Sequence, residues 1–192
     1  MDLFYLFFHK AIDIARNQGE ISFITTNYYP TDYGGKKLRL DFNERVSIRK
    51  LINFNELKIF ESALGQHNLI TMLVKENNLL LKAENSIVKK TGVANTETLR
   101  KIFNKEEENT DYYYVKQAHL YEGEEKYIRL LGVYEGIDDN SLQSILSKMK
   151  LCQNKFGDIC LIKQGIVSGA DKVTNKHISE YDSDWKKEKV YF

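Results

Sequence analysis

Cysteine is scarce in this 192-residue chain: only Cys152 and Cys160 occur, in no zinc-type spacing. That excludes a disulfide scaffold and a cysteine-rich metal centre, and it fits a reducing, cytoplasmic compartment. The four histidines, His9, His67, His119 and His177, are scattered with no HExxH or paired spacing, so no metal site is indicated. An excess of charge is missing as well. With 28 Lys and Arg against 27 Asp and Glu, no global positive field gathers polyanions, and any nucleic-acid contact must come from local patches. No run approaches the roughly 18 uninterrupted apolar residues of a membrane span. The apolar stretch from Met1 to Ala15 is not built like a signal peptide, because Asp2 precedes it and His9, Lys10 and Asp13 interrupt it.

What remains is the composition of a folding chain. Hydrophobic residues make up 42% and charged residues 29%, near the globular averages of about 45–50% and 25%. The length corresponds to about one domain or one and a part. Leu3, Phe4, Phe7, Phe8, Ala11, Ile12 and Ala15 recur at the spacing of one helical face, with Asp2 in the N-cap place and Asn17-Gln18-Gly19 as a stop. Glu20 to Thr26 reads as a short buried strand, and the loop from Asn27 to Gly35 follows it. A basic helical stretch runs from Lys36 to about Arg45, and Ile48 to Phe54 and Asn68 to Lys75 read as strands. The order helix, strand, helix, strand, strand predicts a mixed sheet whose last strand is antiparallel. Three strands are too few for such a sheet, so the chain is expected to begin inside a domain.

Beyond Lys75 the sequence turns polar, with the acidic run Glu106-Glu107-Glu108, and residues 79–110 read as a connector between domains. Tyr112 to Tyr121 and Lys126 to Tyr134 suggest the two strands of a hairpin around Glu122 to Glu125. Ser141 to about Leu151 suggests a helix, and Asp158 to Val167 a strand. No internal repeat and no low-complexity tract is present.

Four consecutive segments carry a resemblance. DLFYLFFHKAIDIA, GEISFITTNYY, the loop TDYGGKKLR and FNELKIFESALGQHNLITMLVK, together spanning Asp2 to Lys75, resemble the second half of the catalytic domain of N6-adenine DNA methyltransferases. The likeness is to the TaqI-like group of bacterial restriction-modification systems. ICLIKQGIVSGADKV, from Ile159 to Val173, looks like the opening of that group's target-recognition domain. The resemblance implies an α/β fold, namely the C-terminal half of a Rossmann-like class I methyltransferase sheet, followed by an α+β target-recognition region. It implies a catalytic part over residues 1–78 and a recognition part over 111–192. S-adenosylmethionine would be the cofactor and double-stranded DNA the partner. It also implies something absent. Family members carry a glycine-rich cofactor loop and an Asn-Pro-Pro-Tyr type tetrapeptide, yet this chain has no GxG and its only proline is Pro30. The missing N-terminal half of the same polypeptide is therefore an expected partner, and this chain alone is expected to be inactive.

Methyl transfer to an exocyclic adenine amine needs the base out of the duplex and held by stacking. Phe60 stands where the family places the aromatic that stacks on the flipped adenine; without the resemblance, a core aromatic under the sheet edge is the alternative. Leu3 and Phe7, four apart on one helical face, match positions that lie against the cofactor's adenine, although core packing requires the same spacing. The loop with Tyr33, followed by Lys36, Lys37 and Arg39, offers an aromatic and three cations for phosphate, or an ordinary solvated face. Tyr28 and Tyr29 either contact the pocket or pack. Gly165 and Gly169 fail the P-loop pattern. As the start of a recognition domain, that segment brings Lys163, Gln164 and Lys172 toward DNA, with a tight turn as the alternative. His67 reads as a structural histidine. Two other functions fit the composition equally: a DNA-recognition module without catalysis, and a protein-interaction domain.

Overall fold

The computed structural model describes residues 2–60 and 67–130, together with parts of 148–161. The chain divides into two compact units, Met1–Asp138 and Asp139–Phe192. The first opens with helix α1 (Leu3–Ile14), strand β1 (Glu20–Thr26), a 3-10 turn (Tyr33–Gly35), helix α2 (Lys36–Arg45) and strand β2 (Ser47–Asn53). After the short β3 (Leu57–Lys58) come β4 (Asn68–Val74), β5 (Lys82–Val88), β6 (Gly92–Val93), α3 (Thr96–Asn104) and β7 (Thr110–Lys116). A helical turn α4 (Gln117–Leu120) and the hairpin strands β8 (Tyr121–Glu122) and β9 (Tyr127–Ile128) complete its described part.

Five strands form one mixed sheet in the order β1-β4-β2-β5-β7. β4 is antiparallel to both β1 and β2, β5 is parallel to β2, and β7 is antiparallel to β5. The expected element order over residues 2–75, with an antiparallel last strand, is therefore what the fold contains. β4 reads NLITMLV and is buried at nearly every position, which suits a strand flanked on both sides.

Alternation along the strands divides the core in two. Ile21, Leu51, Leu69, Leu73, Ala83 and Val115 face Tyr5, Phe8 and Ile12 of α1 and Leu38 and Phe42 of α2. Phe8 sits among the rings of Phe23, Tyr29 and Phe42 at centroid distances of 4.6–5.7 Å. The opposite face packs Ile52, Ile70 and Val88 against Ile102 of α3, together with Phe54 and Leu57. The α1 stripe differs from the expected one. Tyr5, Phe8 and Ile12 are buried, whereas Leu3 and Phe7 point outward.

Helix ends are closed by distant side chains. Lys75, just past β4, donates from Nζ to the carbonyls of Asp13 and Ala15 (3.2 and 2.7 Å) at the end of α1. Asn77 donates to the carbonyls of Asn43 and Glu44 at the end of α2. Asn95 caps α3 by accepting from the Thr98 N–H at 2.8 Å.

The structure corrects two expectations for the middle of the chain. Residues 79–110 are not a free connector, because β5 lies inside the sheet between β2 and β7. Its sequence KAENSIV looks polar, yet distant groups meet two of its polar side chains. Glu84 meets Lys50 and Lys105 (2.8 and 2.5 Å), and buried Asn85 donates to the carbonyls of Arg129 and Leu130 (3.0 and 3.1 Å). The expected hairpin also shrinks. Tyr112 to Lys116 pairs with β5, and among the described residues Tyr121-Glu122 alone pairs with Tyr127-Ile128 around the anticipated turn.

In the second unit Lys148, Met149 and Leu151 are helical, as expected, and a helical turn α5 (Phe156–Ile159) stands where the expected strand begins. The rest of both segments lies outside the described residues. Among the described residues no helix is long and apolar enough to cross a membrane.

Candidate functional site

Because β1 and β2 run in the same direction, they end on the same side of the sheet, where antiparallel β4 begins. Thr26 stands opposite Asn68, and Asn53 opposite Leu69. The loops that start at Asn27 and at Phe54 both leave from this end. Between them lies a cleft of about 430 Å³ lined by Asn27, Tyr28, Thr31, Asp32, Asn53 and Leu130.

The cleft floor is a pair of amides. Asn27 Nδ2 donates to Asn53 Oδ1 at 3.1 Å, and the same oxygen accepts the Asn55 backbone N–H at 3.2 Å. Asn55 adopts a left-handed φ of 45°, turns the chain out of β2 and donates from Nδ2 to the Val88 carbonyl at 2.8 Å. His67 donates from Nδ1 to the Asn55 carbonyl at 2.8 Å, a structural role that ties the start of β4 to this turn.

The wall from Asn27 to Gly35 is held from below. Tyr29 is fully buried and its hydroxyl shares a 2.7 Å hydrogen bond with Thr71 Oγ1; burial raises its pKa, against the lowering effect of that bond. Tyr28, its neighbour, lines the cleft and keeps its ring half exposed. The two residues diverge at the opening of a turn in which the Thr31 and Asp32 N–H groups donate to the Tyr28 carbonyl at 3.0 and 2.8 Å. The Arg39 guanidinium reaches under the loop, with Nη1 donating to the carbonyls of Tyr29 and Asp32 (2.8 and 2.6 Å) and Nε to the Glu125 carbonyl (3.0 Å). Its Cζ lies over the Tyr127 ring, 4.7 Å from the centroid. Burial lowers the Arg39 pKa, while Tyr127 and Glu125 pull it back up. Gly35 is required here, since a Cβ would stand 2.6 Å from the Tyr29 carbonyl oxygen and 2.7 Å from Arg39 Nη1. Tyr5, which approaches Asp32 Oδ2 at 3.5 Å, is pushed up to about 12 by burial and by Asp32, so it remains a neutral hydroxyl.

The expected site residues separate into groups. Phe60 stands beyond β3 in the loop that leaves this same sheet end, and it is 46% exposed, so core packing does not consume it. Leu3 and Phe7 are 70% and 58% exposed on the outer face of α1. Tyr33 is 82% exposed; Lys37 is exposed and has no charged partner among the described residues. Lys36 is paired to Glu125 Oε1 at 2.6 Å, a bond that raises its pKa. Arg39 requires a correction. It is fully buried, with Nε and Nη1 spent on carbonyls of the fold and Nη2 without a hydrogen-bond partner among the described residues, so it is not a surface cation for phosphate. Lys163, Gln164 and Lys172 lie outside the described residues. The Asn27–Asn53 pair was not anticipated; its only sequence signal is an asparagine at the end of each of two parallel strands. Among the described residues no group of three or more His, Cys, Asp or Glu side chains is placed to hold a metal ion.

Residues 1–60 match the model of the Eco57I restriction-modification methylase family. Among curated proteins, none matches the chain. Among solved structures, the chain is similar to a modification subunit assigned to a type I restriction enzyme of Vibrio vulnificus YJ016, at 7% identity and a TM-score of 0.49. That likeness covers 65% of this chain and 30% of the other. A second similar structure is the type IIG restriction endonuclease BpuSI, at 12% identity and a TM-score of 0.43, covering 59% of this chain and 14% of that one. The chain thus spans less than a third of the length of either structure.

Proposed function

We propose that this chain is part of a DNA adenine-N6 methyltransferase of a restriction-modification system, and that its first unit supplies one side of the catalytic domain. The observation that carries the reading is the match of residues 1–60 to the restriction-modification methylase family, over the elements that build the cleft end of the sheet. In this reading a glycine-rich loop and a proline-containing tetrapeptide, absent from the sequence, come from the missing N-terminal half of the same polypeptide. The recognition region falls in the second unit, where Lys163 and Lys172 meet phosphate and Gln164 meets a base edge.

S-adenosylmethionine, when bound, supplies the methyl group. The exposed side chains of Leu3 and Phe7 suit the apolar wall against its adenine, since neither is used by the core. Phe60 offers a flat face to an extruded adenine, and stacking of this kind contributes roughly 1–3 kcal/mol per base. Tyr33 and Lys37 present an aromatic and a cation to the DNA backbone, with Lys36 released from Glu125 as needed.

The test uses the full-length parent. Phe60→Ala should lower the efficiency of methylating duplex DNA by roughly five- to more than a hundredfold, while cofactor affinity and melting temperature stay near those of the parent. Normal methylation by a folded variant removes Phe60 from the mechanism. A parent that transfers no methyl group to adenine in any duplex removes the reading itself.

A further inference from the structure

Phe60 carries a half-exposed ring on a backbone that is anchored just before it. From Asn55 to Ile59 the chain runs beside residues 88–94, and hydrogen bonds join the two segments along that course. Asn55 Nδ2 donates to the Val88 carbonyl at 2.8 Å, Leu57 and Lys58 pair in parallel with Gly92 and Val93, and the Ala94 N–H donates to the Lys58 carbonyl at 2.8 Å. Ile59 and Ala94 pack against the same core cluster that buries Leu57 and Val88. The supporting segment is itself held at both ends. At one end the Lys89 N–H donates to the Asn109 carbonyl at 2.8 Å, and Lys90 meets buried Glu107 at 3.3 Å. At the other, Asn95 caps α3, whose Ile102 belongs to that cluster. Gly92 turns the segment at a φ of 95°, a conformation that L side chains rarely adopt. All of these supporting residues lie beyond the 1–60 match to the methylase family.

We propose that Gly92 and Ala94 are positioning residues for the stacking of Phe60 on an extruded base, acting through the Lys58 carbonyl and the β3 backbone. The proposal rests on the methyltransferase reading for what Phe60 stacks on. A loop that is ordered before binding loses less entropy on binding than one ordered by its ligand. Here the backbone two residues before the ring is fixed by hydrogen bonds, so the ring keeps an exposed face while its support is rigid. Taking away the Ala94 donor, or forcing a side chain onto the Gly92 dihedral, loosens that support. The ring is then still present but is presented to the base less of the time.

The test is a double-mutant cycle in the full-length parent, read as kcat/KM for methylating duplex DNA, with cofactor affinity and melting temperature as controls. Ala94→Pro removes the N–H that reaches the Lys58 carbonyl, and Gly92→Ala strains the turn without a clash, since nothing lies within 4 Å of the added Cβ. Each should lower kcat/KM by roughly three- to tenfold while cofactor affinity stays unchanged. In a Phe60→Ala background the same substitutions should change it by less than about twofold, because the ring they position is gone. An equal loss in both backgrounds would mark the segment as structural only and overturn the proposal. So would an unchanged kcat/KM in a folded single variant. If neither variant folds, hydrogen exchange in the wild-type parent decides. The Ala94 amide should exchange roughly threefold or more slowly with a duplex that is methylated than with the same duplex abasic at the target position, and equal exchange overturns the proposal. Loss of activity on Phe60→Ala without coupling removes this proposal alone. Full activity of Phe60→Ala, or a parent that methylates no adenine, removes the reading on which it rests and this proposal with it.

Discussion

Arg39 shows how a single side chain sets the shape of the cleft. A buried cation costs less when its donors meet oxygens, and here Nε and Nη1 meet three carbonyls and the Tyr127 ring lies beside the guanidinium, while Nη2 has no hydrogen-bond partner among the described residues. The loop that presents Tyr28 and Asp32 is therefore held by a fork of hydrogen bonds, and Gly35 is what lets the fork approach. Arg39→Met should keep much of the packing but leave those carbonyls unpaired. We expect a loss of about 3–5 kcal/mol in urea unfolding, with Arg39→Lys recovering only part of it, because an ammonium cannot span the same positions. An unchanged midpoint in the methionine variant would show that the loop is held by its apolar contacts instead.

Among the elements, β2 and α4 are joined by one glutamine. The β2–β4 register shifts between Ile48 and Lys50, which leaves Arg49 without a partner in β4, and Ile48 precedes the start of the β2–β5 pairing at Lys50. Gln117 makes good the loss, accepting the Ile48 N–H on Oε1 at 3.1 Å and donating from Nε2 to the Ile48 carbonyl at 2.6 Å. Its own N–H donates to the Leu81 carbonyl at 3.0 Å. Gln117→Leu should strand two buried backbone groups and cost about 2–4 kcal/mol. Hydrogen exchange at the Ile48 amide should rise with it, whereas exchange in β1 should change only as much as global stability does. Equal loss of protection throughout the sheet would mean that the bulge is not a local weak point. The same residue explains why residues beyond 110 belong to the first unit, since without them β2 has an unsatisfied bulge.

For the molecule as a whole, acid sensitivity follows from charge pairs that cross the sheet. Burial pushes the Glu84 carboxyl up, but hydrogen bonds from Lys105 and Lys50 outweigh it and hold the pKa below the ordinary glutamate range. A carboxyl depressed in the folded state contributes stability that is fully present above its unfolded pKa of about 4.3 and is lost as pH falls through the folded value. Asp111, held down by its hydrogen bond from Lys89, acts in the same direction. Stability should therefore be flat from neutral pH to about pH 5 and decline below it. Glu84→Gln should be less stable at neutral pH and show a shallower acid decline. Parallel acid profiles for the two proteins would count against the pairing of Glu84 with both lysines.

Long apolar runs were legible from the sequence alone. EISFITT and NLITMLV could bury themselves only as strands, and the order of elements over residues 2–75 followed, as did the antiparallel β4. These features depend on local periodicity and on side chains whose burial needs no particular partner. What only the tertiary structure decided concerns polar residues, whose fate depends on who stands opposite. KAENSIV is interior because Lys50, Lys105 and the Arg129 and Leu130 carbonyls reach it from elsewhere in the chain. Arg39 is buried for the same reason. The α1 stripe was readable as helical, but whether Phe7 or Tyr5 faced inward depended on the rotation that brought Phe8 into contact with Phe42 and Tyr29. The cleft was hidden altogether, because Asn27 and Asn53 lie 26 positions apart and meet only where parallel strands end side by side.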